Sequence, residues 1–397
     1  MTTTDHSKAQ LEQEGVTLPG ERSGLLSRAT RHAAFGIENH EIPTGREEEW
    51  RFASLRQLAP LFEARDTHVE ENVVSYEVES PEGIVVDSLG EKEAPRHKAI
   101  LPEDRIAAAA AELTANALYL KASANAEVSE PARVEVAGHD ASVASHGEIV
   151  LHTEANARAT YVLNHTGSAL YAQNVEMVLD EGSEMTVIAI QDWADDAVHV
   201  STHVAKIGKD ARLKHIVVTL GGKAVRVNST ATFAGPGGGV EQDGLYFSDE
   251  GQHLEHRLFV DHAAPKCTSN VLYKGALQGR GARSVWVGDV LIRKEAEGTE
   301  TYEMNRNLVL TEGARADSVP NLEIETGEIE GAGHAAATGR FDDEQLFYLM
   351  ARGISEIEAR RLVVRGFFQE LIQRIDVPEV REYLTEQIEV ELQRSMN

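Results

Sequence analysis

The chain has 397 residues, 65 of them acidic against 38 basic, with 16 histidines, one cysteine and a formal net charge of −27. That length exceeds one ordinary compact core and predicts two or three domains or one elongated architecture. The charge repels a phosphate backbone and no basic patch offsets it, which argues against nucleic acid, while the lone Cys267 excludes an intramolecular disulfide, a CxxC pair and an all-cysteine metal site.

In chain order, the opening MTTTDHSKAQLEQEG lacks the basic and apolar regions of a secretory signal. No apolar run approaches the roughly 18–20 residues that span a bilayer, so no membrane contact and a cytoplasmic location are expected. Arginine is preferred over lysine throughout. With the acidic excess this points to a high-salt cytoplasm, where self-repulsion is screened; a plainly acidic surface is the alternative.

Residues 1–125 read as an N-terminal α/β region. Pro19-Gly20 precedes a helical segment from Glu21 to Phe35, with Leu25, Leu26 and Ala29 on one face. In HEIPTGREEEWRFASLRQLAPLF, Pro43 and Gly45 make a turn, and Trp50, Phe52, Leu55 and Leu58 are apolar anchors. VVSYEVESPEGIVVDSL predicts two short strands around Pro81-Glu82-Gly83, and the alanine-rich stretch from Asp104 to Lys121 predicts a helix.

Residues 126–340 form the second region. Alternating segments such as RVEVAG, EIVLHTE, NVEMVLDEG and EMTVIAIQDW recur, and a loose cue (DEGSEM, IGKDAR, QGRGAR, TEGARA) leads into each new strand. Such texture fits a parallel β-helix, a sandwich or a barrel. A solenoid buries inward residues by stacking turn on turn. An aromatic content of 6% fits it better than a Trp-cored sandwich.

Residues 341–397 read as a helical tail. Asp342 or Asp343 caps a first helix that Gly353 stops, and Ser355 and Glu358 have capping-box spacing for a second. Leu362, Val363, Phe367, Leu371 and Ile375 give that helix an apolar stripe, and Pro378 opens a third with Val380, Leu384, Ile388 and Leu392 at helical spacing. The tail can pack on itself, on the β region or on another protein.

Motifs with chemistry are few. GPGGG at 235–239 lacks the Lys-Ser/Thr of a phosphate loop and reads as a flexible loop; GRGARS at 279–284 lacks the third glycine of a dinucleotide fingerprint. His253 and His256, three apart in strand-like sequence, fall on opposite faces and read as structural, with His262 nearby. Cys267 reads as a small buried hydrophobe. His334 differs: it sits in EGAGHAAATGR, among glycines and alanines that let another surface approach its imidazole, a potential ligand for zinc, copper or iron. Alone it supplies one bond.

NLEIETGEIEGAGHAAATGRFDDEQLFYLMARGI resembles the C-terminal signature of the SufB/SufD family of iron–sulfur cluster assembly proteins. PTGREEEWRFASL is similar to that family's N-terminal Glu-Glu-Trp element, and APKCTSNVLYKGALQGRGARSVWVGDVLI to its Thr-Ser…Lys-Gly…Gly segment. The match spans Pro43 to Ile375. Within the family the chain resembles the SufD branch, because TETYEMNRNLVLTEGARADSVPNLEI has no cysteine and Ala335 stands where SufB-like chains have glutamate. Some SufD chains carry a cysteine two residues before the histidine; Ala332 leaves a thiolate-free site here.

The resemblance implies a mainly β fold: a right-handed parallel β-helix core with a small N-terminal α/β region and a helical C-terminus. It implies a non-catalytic scaffold that pairs with a SufB-like subunit and docks a SufC-like ATPase, binding no nucleotide itself. His334 would help ligate a nascent iron–sulfur cluster shared with SufB. Asp343, Phe347, Tyr348, Arg352, Gly353 and Phe367 would belong to the docking region for SufC. Glu328 and Glu330 are candidate oxygen ligands for iron entry. A stand-alone metal carrier and a β-solenoid carbohydrate-active enzyme are the alternatives.

Overall fold

The computed structural model describes residues 31–63, 73–341 and 343–394. Most of the expected helix from Glu21 to Phe35 lies outside these residues, and residues 33–35 are in no helix. Residues 33–397 form one compact unit.

Its centre is a parallel β-solenoid. Two long strands, β4 (Ala132–Thr153) and β5 (Arg158–Leu179), pair along their length with one register shift between Asp140 and Ala144. Beyond them the chain alternates between two sheets. β6 (Glu184–Trp193), β8 (Arg212–Thr219), β10 (Gly239–Ser248), β12 (Thr268–Leu277), β14 (Glu300–Val309) and β16 (Gly331–Arg340) form one face. β7 (Val198–Ile207), β9 (Ala224–Phe233), β11 (His253–His262), β13 (Arg283–Ile292) and β15 (Arg315–Ile324) form the other.

The loose turn cue has a backbone cause. A residue in the left-handed conformation stands two positions before most of these strands: Gly182, Asp210, Gly222, Gly237, Gly251, Lys266, Gly281, Gly298 and Gly313. Glycine adopts that conformation without Cβ strain, and Asp tolerates it. The GPGGG segment is one of these turns, and it is tightly packed rather than flexible: a Cβ on Gly235 would lie 2.8 Å from the Lys209 backbone. Cys267 is fully buried beside it, its Sγ 3.6 Å from the Gly235 carbonyl.

Alternate residues of each strand point inward and stack on the same position of the next turn. The interior is aromatic as well as aliphatic, with Trp193, Trp286, Tyr161, Tyr171, Tyr246, Tyr273 and Phe233 all buried in it. The sparse aromatics are therefore concentrated in the core, where the composition had suggested none were needed. Tyr246 and Tyr273 fit because each lies over a glycine on the paired strand: Tyr246 opposes Gly275, and Gly244 opposes Tyr273. Buried histidines fill other inward positions. Burial keeps them neutral, pushing His215 down to about 4 and His256 to about 3.

The N-terminal elements lean on the second face. Trp50 is buried with helix α1 (Leu55–Phe62) and helix α2 (Arg105–Leu113) against Leu170, Ala172 and Val200. The guanidinium of Arg226 on β9 lies 4.1 Å from the Trp50 ring centre, donates to the Glu49 carbonyl at 2.9 Å and pairs with buried Glu255. Burial opposes the Glu255 charge, but Arg226, with His253 and Arg257, outweighs it and brings the carboxyl down to about 2.

The alanine-rich helix is shorter than its propensity suggests. Asp104 caps it, accepting from the Ile106 and Ala107 amides at 2.9 Å. It ends at Leu113, where Arg96 takes the Ala111 and Thr114 carbonyls. Residues 116–122 are instead drawn into β3 (Asn116–Ala122), which pairs antiparallel with β2 (Ile84–Gly90) and parallel with β4. Pairing overrides local preference there. The strand expected before Pro81 is β1 (Val74–Glu79), antiparallel to β4.

The tail has three helices, α3 (Asp343–Ala351), α4 (Glu356–Gln373) and α5 (Pro378–Arg394). Asp342 is outside the described residues. Ser355 caps α4 through the Glu358 amide, and Gly353 takes the left-handed φ of 88° that ends the α3 turn. The tail packs on the first sheet through a face rotated from the expected stripe: Val364, Phe368, Leu371, Ile375, Leu384 and Ile388 bury Ile188, Ile216, Leu245, Phe247 and Leu272, whereas Leu362 is exposed and Phe367 only half-buried. Buried Lys274 pins α4 by donating to the Phe367 carbonyl at 3.0 Å and to Glu370 at 2.6 Å.

A Cβ at position 275 would lie 1.8 Å from the Tyr246 ring. Gly275→Ala is expected to cost about 1–3 kcal/mol by overpacking, whereas Gly366→Ala, on exposed α4 surface with nothing within 4 Å, should be neutral or stabilising by up to about 1 kcal/mol; urea unfolding compares the two. Glu255 supplies the acid test. Its folded pKa is depressed from 4.5 to about 2, so its contribution is present above pH 4.5 and lost as pH falls toward 2. The stability difference between the wild type and Glu255→Gln should therefore shrink across that window, and a difference unchanged with pH would contradict the ion-pair account.

Candidate functional site

β15 and β16 end the strand order, so among the described residues each has one edge without a paired strand. His334 is the fourth residue of β16. Parallel pairing sets it opposite Glu303 on β14, and the same inward column continues through Val271, Gln242 and His215. In most of the solenoid such positions are sealed by the next turn. His334 keeps 43% of its side chain exposed because no further strand covers it, while Glu303 one turn below is 1% exposed.

The pair is not a hydrogen bond. His334 Nδ1 lies 3.8 Å from Glu303 Oε1, and that oxygen has no hydrogen-bond partner. Gly288 on β13 makes room for the carboxyl, since a Cβ there would sit 2.4 Å from Oε2 and 2.4 Å from the Trp286 ring. Burial pushes the Glu303 carboxyl up to about 8, reinforced by Asp289 and partly opposed by the Asn321 backbone.

The small residues around His334 have two separate causes. Gly331 faces open space, whereas a Cβ on Gly333 would approach the Tyr302 ring to 3.1 Å. Glu328 and Glu330 are exposed in the connection before β16. Among the described residues no group of three or more His, Cys, Asp or Glu is placed to hold a metal ion. His253 and His256 point to opposite faces as their spacing requires; His256 bonds to Thr219 Oγ1 at 2.9 Å, and His262 to Ser269 Oγ at 2.9 Å.

A groove of about 1070 Å³ crosses the first residues of β5, β6, β8, β10, β12, β14 and β16. Its charges are mixed, with Arg158, Arg212 and Lys214 against Glu184, Glu241, Glu300 and Asp376, and two pairs of them, Arg158–Glu184 and Lys214–Asp376, lie 2.9 Å apart, so it presents no strong field of one sign.

The residues expected to dock a partner divide. Phe347 and Tyr348 on α3 are 73% and 57% exposed. Arg352 stacks 5.0 Å from the Tyr348 ring, and Met350, Ile357 and Leu362 are also exposed. Asp343 is the first residue of α3. Phe367 faces the other way, half-buried against the sheet with Lys274 5.3 Å from its ring centre. Sequence reasoning missed Glu303 and Lys274. The signal for Glu303 was an acidic residue one solenoid turn before the histidine, readable only once strand register is known.

Residues 136–367 match the family model described as SUF system FeS cluster assembly, SufBD core domain. An iron–sulfur cluster assembly SufBD family protein of Mycobacterium leprae is 50% identical over 383 residues, covering 95% of this chain and 97% of the relative. One from Mycobacterium tuberculosis H37Rv is 52% identical over 369 residues, 91% of this chain and 92% of the relative. A second SufBD family protein of that strain is 26% identical over 211 residues, 53% of this chain and 25% of the relative. With a parallel solenoid, a matched core domain and relatives similar along nearly the whole length, the chain belongs to the SufBD family of iron–sulfur cluster assembly proteins.

Proposed function

We propose that this chain is a SufD-like, non-catalytic scaffold subunit of a cytoplasmic SufBCD-type complex. It pairs with a SufB-like subunit through the free strand edges of β15 and β16 and presents His334 to a nascent cluster held between the two. The observation that carries the reading is the position of His334, an inward-facing imidazole on the last turn and partly open to solvent. An imidazole can ligate iron within a cluster. The thiolates would come from the partner, because the one cysteine here is buried in the core.

The tail supports the second half of the reading. Once α4 and α5 have spent their stripe on the sheet, an apolar surface centred on Phe347 and Tyr348 stays exposed, the kind that marks a protein contact. It is assigned to a SufC-like ATPase, which supplies nucleotide hydrolysis that this chain does not. Two SufBD family proteins of Mycobacterium tuberculosis H37Rv differ widely in their similarity to this chain, at 52% and 26% identity, in keeping with an assembly of unlike subunits. Among the described residues no helix is long and apolar enough to cross a membrane.

Co-expression with SufB- and SufC-like partners, size exclusion and anaerobic iron and sulfide analysis test this. His334→Ala should leave the complex intact and lose cluster assembly; normal assembly by that variant would make the histidine structural. Phe347→Ala combined with Tyr348→Ala should release the SufC-like subunit while retaining the SufB-like one. Unchanged co-elution of all three would move the docking surface elsewhere.

A further inference from the structure

Glu303 is left unexplained by a single-histidine site. Its side chain is 1% exposed, and its Oε1 has no hydrogen-bond partner among the described residues. Leaving a buried carboxyl oxygen without a donor is unfavourable unless something else satisfies it. The group it faces is His334 Nδ1, at 3.8 Å. That is too long for a hydrogen bond. It is close to the separation of two donors of one cation, since bonds of about 2.0–2.2 Å hold tetrahedral neighbours roughly 3.3–3.6 Å apart, and a shift of a few tenths of an ångström at the exposed His334 closes the gap.

The surroundings fix which group moves and which stays. Gly288 and Trp286 wall the Glu303 carboxyl on the β13 side, and a Cβ at 288 would strike Oε2. The partly exposed His334 lies on the last strand, whose outer edge has no paired strand among the described residues, so that side is open to an ion. A cation bound here displaces the Glu303 proton, and the resulting donor set is one imidazole nitrogen and one carboxylate oxygen without thiolate, which favours divalent first-row metals such as Fe²⁺ over thiolate-seeking Cu⁺.

We propose that Glu303 and His334 together form a two-donor site for a divalent cation of the ferrous class at the end of the solenoid. The remaining coordination positions are left to water, sulfide or ligands of a partner chain. The inference rests on the reading of His334 as a ligand and adds to it a residue that receives the metal before or during cluster formation.

The test is anaerobic titration of the full chain with Co²⁺ as a spectroscopic stand-in for Fe²⁺, using the wild type, Glu303→Gln, His334→Ala and Glu312→Gln. Glutamine preserves the size of the buried side chain, and thermal unfolding verifies that each variant is folded. Glu312 is an exposed carboxylate in the turn before β15 and controls for ions condensing on an acidic surface. One saturable site is expected, at least tenfold weaker in Glu303→Gln and in His334→Ala and unchanged in Glu312→Gln. No saturable site in the wild type, equal binding by Glu303→Gln, or equal losses in all three variants would overturn the proposal. If His334→Ala abolishes cluster formation in the complex while Glu303→Gln binds Co²⁺ normally, the scaffold reading stands and the two-donor site falls. If both variants lose Co²⁺ yet assemble clusters normally, the site stands and the assembly role falls.

Discussion

Parallel register governs this molecule. Each inward side chain sits directly on the residue at the same position of the neighbouring turn, about 4.8 Å away, so no interior position can be chosen independently. A tyrosine needs a neighbour that leaves it room, as glycine does for Tyr246 over Gly275 and Tyr273 over Gly244, while Tyr171 instead stacks on His199. A histidine enclosed between turns loses its charge, as His203 and His215 do, 2.9 Å apart in the core. The same rule sets Glu303 beneath His334, and the end of the stack leaves that column accessible.

The two sheets are closed differently on their outer sides. The first is covered by the chain's own C-terminus, with Lys274 holding α4 in place. On the second, Trp50, α1 and α2 cover its beginning, and Arg226 ties the Glu-Glu-Trp segment to β9 and β11. Sequence segments that carry the family resemblance thus have concrete mechanical duties. Trp50 is a ring under a guanidinium, Lys274 a clamp on a helix, and Gly275 the space for a tyrosine.

Much of this was legible before any coordinates. The turn cue was readable because left-handed backbone restricts residue choice locally, and the Ser355 cap because it too is a local hydrogen bond. The β-helix expectation held, although its aromatic argument did not, since Trp193, Trp286, Tyr161, Tyr171, Tyr246 and Tyr273 lie inside the solenoid. The helix over 104–121 ended early because β2 and β4 recruit its second half, a long-range effect that propensity cannot contain. His334 stood out through its bare neighbours. Glu303 did not, because its meaning depends on a partner 31 positions away, fixed only by strand pairing.

The terminal turn has one more consequence, for the behaviour of the chain in isolation. Sheet edges left free are templates for further strands, and proteins ordinarily blunt them with lysines, prolines or bulges. β15 carries Pro320, but β16 reads GAGHAAATGR, with small neutral residues and a single arginine at its far end. Such an edge has little to discourage end-to-end stacking of identical molecules. While that edge is uncovered, colloidal stability rests on the net charge of −27, and added salt, which screens that repulsion, favours self-association.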